Sequence, residues 1–278
     1  MISVVRDKFP LRIHCWGGFG SQLNALGFAL EIKRRALNRK LILVFHTGGV
    51  TRRDLEIRDL IPNSISWEVV DDFENELKLS KRVRKTRKFL SKILFFSRVI
   101  VIPSGNADLA KIKPWTISSR GHYSYFNFSP PVLSELANSL RLLESSYNSP
   151  LVLHYRLGDL LALDKGFTDS EEICRVAHGF KKNGWLVLTD SPAAARNILS
   201  DNTLGVSFDS FLSLSPKQVI QIGFSSEVFI GTSSKISIWI ALFRIHANRG
   251  STFLPSGLQN RTLDFLTSDN LINLKFYP

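Results

Sequence analysis

Short apolar runs alternate with longer stretches of helical periodicity along the chain. The runs have the length and apolar content of buried strands: LRIHCW, KLILVF, RVIVIP, PLVLHYR, GWLVLTD, GVSF and SEVFIGT. The stretch SQLNALGFALEIKRRAL places its leucines on one side and ends on Lys33, Arg34 and Arg35, where the helix dipole favours cations. Strands that alternate with helices predict an α/β fold with parallel sheets.

The length of the chain predicts two domains. A chain of 278 residues with 44% hydrophobic content can bury two moderate cores. The segment ESSYNSP, residues 144–150, is polar and serine-rich and ends in a proline that precedes a predicted strand. We therefore expect an N-terminal domain over residues 1–148 and a C-terminal domain over residues 149–278.

The cysteines and the hydropathy pattern predict a cytosolic protein. Cys15 and Cys174 lie far apart and outside any CxxC or His-Cys cluster, so neither a disulfide framework nor a structural zinc site is expected. No charged leader precedes an apolar segment at the N-terminus, and no run reaches the roughly 18 apolar residues of a membrane span.

The net charge of +12 is concentrated in one segment, which has no acidic residue between Glu76 and Asp108. Its cations are Lys78, Lys81, Arg82, Arg84, Lys85, Arg87, Lys88, Lys92 and Arg98. This pattern favours a basic helix that docks on an anionic membrane surface at residues 78–98. A solvated helix with one core face is the alternative. Nucleic acid binding is not expected, because the segment lacks aromatic stacking platforms and known recognition motifs.

The segment WGGFGSQLN, residues 16–24, predicts a tight turn from a strand into a helix. Gly17, Gly18 and Gly20 permit positive φ and close backbone approach, and the helix directs its first N–H groups at the loop. Such a loop suits a phosphate or a sugar, although glycine turns also occur for steric reasons. A dinucleotide site is disfavoured, because the third glycine and the ribose-binding acid are missing.

The segment LVLHYRLGDLLALD, residues 151–164, brings titratable groups to the end of a predicted strand. Side-chain alternation predicts that His154 and Arg156 face the same way, at the sheet edge where ligands collect. Arg156 can bind phosphate oxygens through parallel N–H donors. Asp159 can orient that arginine, and Asp164 can accept a proton. An ion pair between Arg156 and Asp159 is the structural alternative.

The segment FIGTSSKISIWIALF, residues 229–243, leads from a strand through Thr232, Ser233 and Ser234 into an apolar helix. Hydroxyls and unpaired backbone donors meet at such a helix start, which predicts an anion site. Ordinary N-capping explains the same serines and threonine without a ligand.

Taken together, these segments resemble, in order, the superfamily of α1,2-, α1,6- and protein O-fucosyltransferases. The family's Gly-Gly-x-Gly-x-Gln-Leu loop is matched from Gly17 to Leu23, and its His-x-Arg-Arg-x-Asp motif at His154, Arg156 and Asp159. Three further segments are similar to family motifs: GHYSYFNFSPPVLSELANSL (residues 121–140), VLTDSP (187–192) and TSSKISIWIA (232–241). The resemblance runs from about residue 11 to about residue 245.

The resemblance implies a fold of the GT-B type, with two Rossmann-like domains whose parallel sheets face a cleft. It implies an inverting, metal-independent glycosyltransferase with no cofactor. Its partners would be a nucleotide sugar and a glycan acceptor, with fucose as the implied sugar. Arg156 would bind the β-phosphate and Asp164 would act as general base. The implied donor contacts are Gly18, Gly20, Gln22, His154, Asp190, Thr232, Ser233, Ser234 and Lys235.

The chain also departs from the family pattern. Leu157 replaces the second arginine of the motif, and Val219 stands where the family has an acidic residue that helps to read guanine, with Gln221 as the nearest polar substitute. The donor could therefore be another nucleotide sugar, such as a uridine-linked one. A non-catalytic nucleotide- or sugar-binding module is a further alternative. A bacterial surface polysaccharide such as O-antigen, with a lipid-linked acceptor, would suit the basic segment.

Overall fold

The computed structural model describes most of two α/β units. The described residues are 10–35, 39–48, 52–73, 99–101, 109, 112, 116–120, 123, 127–144, 150–158, 168–180, 184–201, 204–258 and 273–278. The chain divides by its internal contacts into Met1–Val132 and Leu133–Pro278. The expected boundary at residue 148 lies inside the second of these units. The basic segment at residues 78–98 lies outside the described residues.

The N-terminal unit contains a parallel sheet of five strands in the order β3-β2-β1-β5-β4. The strands are β1 (Leu11–Trp16), β2 (Leu41–His46), β3 (Ser66–Val70), β4 (Val99–Val101) and β5 (Ser118–Arg120). Because β2 and β5 lie on opposite sides of β1, the strand order reverses next to β1. A short 3-10 helix, Arg58–Leu60, precedes β3.

Helix α1 (Phe19–Arg34) connects β1 to β2 and is buried from Gln22 to Ile32 without interruption. Gly27 permits close packing, because a Cβ there would lie 2.6 Å from Cε1 of Phe128. Exposed Lys33 and Arg34 end the helix, as predicted. The helix therefore serves mainly as core, and its apolar surface is wider than one stripe.

The C-terminal unit contains a parallel sheet of six strands in the order β11-β10-β9-β6-β7-β8. The strands are β6 (Leu151–His154), β7 (Trp185–Leu188), β8 (Phe208–Leu212), β9 (Val228–Gly231), β10 (Ser251–Pro255) and β11 (Leu274–Tyr277). Counted from β6, this is the 3-2-1-4-5-6 order of the doubly wound Rossmann sheet.

The remaining helices connect these strands or precede them. They are α2 (Pro130–Ser139), α3 (Ser170–His178), α4 (Pro192–Ser200), α5 (Pro216–Ser225) and α6 (Lys235–His246), with 3-10 turns at Leu142–Glu144 and Ser256–Leu258. Two parallel sheets with such crossovers confirm the predicted fold class, an α/β chain with two Rossmann-like units as in the GT-B type.

A buried arginine, Arg244, joins two helices and one strand of the C-terminal unit. The Arg244 side chain is fully buried, and its Nε donates to Thr252 Oγ1 at 2.8 Å. Its terminal nitrogens donate to backbone carbonyls at the end of α5 and in the turn before β9, including Gly223 O at 3.0 Å and Ser226 O at 2.6 Å. Burial lowers the pKa of Arg244 to about 10, so the guanidinium stays charged at neutral pH. It holds α5, α6 and β10 together by hydrogen bonds.

Candidate functional site

The candidate site lies at the carboxyl ends of β6 and β9, where the strand order of the C-terminal sheet reverses. His154 and Gly231 are register partners and each ends its strand. The segments that follow, 155–158 and 232–234, therefore leave the sheet as neighbours. Ligands of open α/β sheets bind outside the strands at this kind of switch point.

Side-chain alternation continues past the end of β6. Leu151, Leu153, Tyr155 and Leu157 all belong to one buried apolar cluster. His154 instead contacts Ser237 of α6. Position 157 thus points into the core, so a leucine suits it where the resembled motif has a second arginine.

His154 is a buried polar connection between β6 and α6. Its Nδ1 lies 2.7 Å from Ser237 Oγ, and Ser237 Oγ also accepts a hydrogen bond from Thr232 N at 3.1 Å. The pKa of His154 is lowered to about 4, mainly by burial; the charge of Arg156 also lowers it, and Asp190 acts in the opposite direction. The imidazole is therefore neutral at physiological pH. Sequence reasoning missed Ser237, one helical turn beyond Ser234.

Arg156 stands two residues beyond the end of β6, and its backbone is tied to Thr232, the residue that follows β9. Arg156 N donates to Thr232 Oγ1 at 3.2 Å, and Thr232 Oγ1 donates to His154 O at 3.0 Å. The arginine is half-buried, and its positive charge contributes to the lowered pKa of His154. The structure thus brings His154, Arg156 and Thr232 together at the ends of β6 and β9, and their contacts with a donor stay a prediction.

Asp190 shapes the loop that carries Arg156. One carboxylate oxygen, Oδ1, accepts hydrogen bonds from Leu157 N and Gly158 N, both at 2.9 Å. A side chain at position 158 would clash with the same carboxylate, which explains the glycine there. The expected contact between Asp190 and the donor stays a prediction, and its observed role is to hold this loop.

Two of the three predicted hydroxyls at the start of α6 form hydrogen bonds within the protein. Ser234 is buried and its Oγ accepts a hydrogen bond from Ile236 N at 3.2 Å, which caps the helix. The Thr232 hydroxyl donates to His154 O and accepts from Arg156 N. Ser233 is exposed, and half-buried Lys235 is the first helical residue. The capping alternative therefore holds for Ser234, and Ser233 is the hydroxyl at the surface.

The glycine loop of the N-terminal unit is held by Gln22. Gly17 has a φ of +108°, which glycine adopts without strain, and Gly18 is the N-cap of α1. The Gln22 amide is buried: its Nε2 donates to Asp54 O at 2.7 Å, and its Oε1 accepts from Glu56 N at 2.9 Å. Gly20 is buried within the first turn. Gln22 thus serves as an internal brace of the loop, and its contact with a donor stays a prediction.

A second polar group lies at the carboxyl edge of the N-terminal sheet, and sequence reasoning missed it. His14 Nδ1 lies 2.9 Å from His46 Nε2, and His46 Nδ1 lies 2.7 Å from Asp72 Oδ2. The indole of Trp16 stacks on His46 with ring centroids 4.0 Å apart. The sequence could have indicated this group only through the positions of its members at strand ends: His46 ends β2, and Asp72 stands two residues after β3.

Two predicted acids, Asp159 and Asp164, lie outside the described residues. Among the residues that the structure describes, no three His, Cys, Asp or Glu side chains are grouped to hold a metal ion. None of the helices in the described part of the chain has the length and apolar content to span a membrane.

Comparisons with known proteins find similar structures at low identity. No protein-family model matches the chain, and no curated protein matches it significantly. The E. coli ADP-heptose lps heptosyltransferase II is 9% identical with a TM-score of 0.46, over 96% of this chain and 89% of that one. The NodZ alpha-1,6-fucosyltransferase soaked with GDP-fucose is 12% identical with a TM-score of 0.45, over 84% and 92%.

A protein described as a putative UDP-N-acetylglucosamine 2-epimerase from Listeria monocytogenes is also similar. It is 9% identical with a TM-score of 0.42, over 96% of this chain and 84% of that one. These likenesses are too distant to indicate an activity.

Proposed function

We propose that the chain is a glycosyltransferase that moves a sugar from a nucleotide donor to a glycan hydroxyl. The observation that carries the proposal is the position of Arg156, which is fixed to Thr232 at the switch point between β6 and β9. The N-terminus of α6 begins three residues beyond Thr232, with Lys235 in its first turn. A positively charged side chain on a fixed backbone, beside a helix N-terminus, suits a nucleoside diphosphate.

The proposed reaction is an inverting displacement without a metal. The acceptor oxygen forms a bond to the anomeric carbon while the bond from that carbon to the diphosphate breaks, and the diphosphate leaves with the electron pair. Arg156 and the N–H groups of α6 stabilise the developing negative charge. A base takes the acceptor proton, and Asp164 is the acid that the resemblance nominates for it.

The donor is proposed to be GDP-fucose, with a UDP-sugar as the second candidate. A specific observation favours the second: the residues that would replace the guanine-reading acid are engaged elsewhere. Val219 is only 6% exposed, and the Gln221 Nε2 donates to Leu140 O at 2.8 Å. The described residues of α5 therefore supply no carboxylate at the position where the family reads guanine.

The proposed setting is cytoplasmic synthesis of a bacterial surface polysaccharide. In this setting the acceptor is a lipid-linked glycan such as an O-antigen precursor. The basic segment at residues 78–98 would hold the enzyme peripherally on the anionic inner face of the membrane. This part of the proposal rests on the sequence alone.

A panel of nucleotides tests the proposal. A nucleotide that binds the folded state raises the midpoint of thermal unfolding, so GDP or UDP should do so and ADP should not. The matching nucleotide sugar should then release its nucleotide when glycan acceptors are added. Stabilisation without any release would indicate the non-catalytic binding module instead. No stabilisation by any nucleotide would contradict both.

A further inference from the structure

Thr168 lies between the two segments that leave the C-terminal sheet at its switch point. Its hydroxyl oxygen accepts a hydrogen bond from Ser233 N at 3.4 Å, and its carbonyl oxygen accepts one from the Tyr155 hydroxyl at 3.3 Å. Tyr155 directly precedes Arg156, and Ser233 directly follows Thr232. Thr168, which stands two residues before α3, therefore joins the segment that carries Arg156 to the segment that leads into α6.

Tyr277, in the last strand β11, extends this connection. Its hydroxyl lies 2.7 Å from Gly231 O and also forms a hydrogen bond with the Thr168 side chain. A carbonyl can only accept, so Tyr277 donates to Gly231, and the proton between the two hydroxyls comes from Thr168. The Thr168 oxygen in turn accepts from Ser233 N. This hydrogen-bonded chain therefore begins and ends in the turn between β9 and α6.

The two phenol rings next to Thr168 are anchored in the core. Tyr155 and Tyr277 belong to the same buried apolar cluster. Burial raises the pKa of both phenols, so both are neutral and can donate hydrogen bonds. The bond from Tyr277 to Gly231 is itself buried, and a buried carbonyl that loses its donor is costly. Packing of the rings thus holds Thr168 against both segments.

The turn between β9 and α6 is also held from within. Thr232 N donates to Ser237 Oγ at 3.1 Å, and Ser234 N donates to Thr232 O at 2.7 Å. The side chain of Ser233, which stands between Thr232 and Ser234, is exposed. An exposed donor on a turn that is already ordered can bind an anion without the entropic cost of ordering that turn.

We propose that Thr168 and Tyr277 position Arg156 and Ser233 for the diphosphate of the donor. This inference rests on the proposed function, because it concerns the same phosphate site. The Arg156 guanidinium and the Ser233 hydroxyl contact phosphate oxygens, and Thr168 fixes the two segments that carry them relative to one another. Thr168 and Tyr277 act through these two residues and are therefore positioning residues.

Amide hydrogen exchange at Ser233, followed by NMR, tests the hydrogen-bonded chain without any nucleotide. Thr168→Val removes the acceptor of the Ser233 N–H at nearly constant side-chain volume, so exchange of this proton should become about 5-fold faster or more. Thr168→Ser keeps the hydroxyl and should exchange as the wild type does. An unchanged exchange rate in Thr168→Val would overturn the proposal.

Calorimetric titration of nucleotides tests the positioning role. Thr168→Val and Tyr277→Phe should each bind the preferred diphosphate, GDP or UDP, about 5-fold more weakly or worse than the wild type. The corresponding monophosphate should lose less than about 2-fold, because it lacks the phosphate that Arg156 is proposed to bind. Thr168→Ser should restore the affinity. Unchanged diphosphate affinity in Thr168→Val, or equal losses for the two nucleotides, would overturn the proposal.

Tyr123→Phe in the N-terminal unit is the matched control for Tyr277→Phe. Tyr123 is 2% exposed, and its hydroxyl donates to Ser119 O at 3.0 Å, so this substitution also removes a buried hydrogen bond to a carbonyl. It should lower the unfolding midpoint to a similar extent and leave nucleotide affinity unchanged. Equal weakening of nucleotide binding by the two substitutions would reflect general destabilisation and refute a positioning role.

Failure of the proposed function gives a different pattern in the same titrations. In that case the wild-type chain would bind neither GDP nor UDP, and the positioning role would fall with the function. Binding of GDP or UDP with an affinity that is insensitive to positions 168 and 277 refutes the positioning role alone.

Discussion

His154 and Ser237, 83 positions apart in the sequence, meet through a hydrogen bond of 2.7 Å between the imidazole Nδ1 and the hydroxyl. The bond is buried and joins the end of β6 to the first turn of α6. Through Thr232, whose N–H donates to the same hydroxyl, it also fixes the loop after β9. The part of the site that we propose to bind phosphate is thus built on a buried polar network.

Removal of the Ser237 hydroxyl should destabilise the protein. Ser237→Ala leaves both His154 Nδ1 and Thr232 N without their buried partner, which costs about 1–3 kcal/mol of the free energy of unfolding. Urea denaturation measures this loss. The exposed Ser233→Ala is the matched control and should change stability by less than about 0.5 kcal/mol. Equal stability of the two variants would contradict the network.

The buried histidines should make stability depend on pH. Burial lowers the pKa of His154 to about 4 and that of His14 to about 3, so between these values and about 6.5 the unfolded chain binds more protons. Stability is therefore complete above about pH 6.5 and falls on acidification by about 1.4 kcal/mol per pH unit for each such histidine. Urea titrations across this range measure the slope.

A pair of variants isolates the contribution of one buried ring. His154→Gln should reduce the slope of the unfolding free energy against pH by about 1.4 kcal/mol per pH unit, the contribution of one buried histidine. His178→Gln, at an exposed position, should leave the slope as it is. A slope that is the same in wild type and His154→Gln would mean that His154 titrates normally in the folded protein.

Replacement of Arg244 should be among the most destabilising single changes in the C-terminal unit. Arg244→Ala removes a fully buried guanidinium and leaves Thr252 Oγ1 and several backbone carbonyls without donors. We expect a loss of about 3–5 kcal/mol in the free energy of unfolding. Arg34→Ala, at the exposed end of α1, is the control and should be close to neutral. A loss under about 1 kcal/mol would show that the carbonyls find other partners.

The basic segment predicts binding to anionic vesicles. Replacement of Lys81, Arg82, Arg84 and Lys85 by glutamine should release the protein from vesicles that contain phosphatidylglycerol, because each cation contributes about 1 kcal/mol near such a surface. Co-sedimentation measures the bound fraction. This quadruple variant should bind nucleotide as the wild type does. Unchanged vesicle binding by the variant would contradict the docking role.

Much of the architecture could be predicted from the sequence, because buried parallel strands appear as continuous apolar runs. The runs around Ile13, Val44, Leu153, Val187 and Ile230 are all central strands. The strands β3, β5, β10 and β11 were missed. In β3 the exposed Trp67 and Val69 alternate with polar residues, and β5 is the three-residue Ser-Ser-Arg. Strands so short or so exposed lack a continuous apolar run.

The candidate site could be predicted only in part. The neighbourhood of His154, Arg156 and Thr232 follows from strand ends in a parallel sheet. The uses of individual polar atoms do not, since only the fold shows that Gln22 braces a loop and that Asp190 holds residues 157 and 158. The hydrogen-bonded group of His14, His46 and Asp72 depends on the register between strands, which no local sequence pattern encodes.

Calorimetric titration of GDP and UDP into the wild-type chain and Arg156→Ala tests the central claim most directly. Wild type should bind one of the two nucleotides. The alanine variant should bind it about 10- to 100-fold more weakly, because a charge-assisted hydrogen bond to phosphate is lost. The unfolding midpoint without ligand should stay the same. Equal affinity in the two proteins, or no binding of either nucleotide to wild type, would contradict a diphosphate site at Arg156.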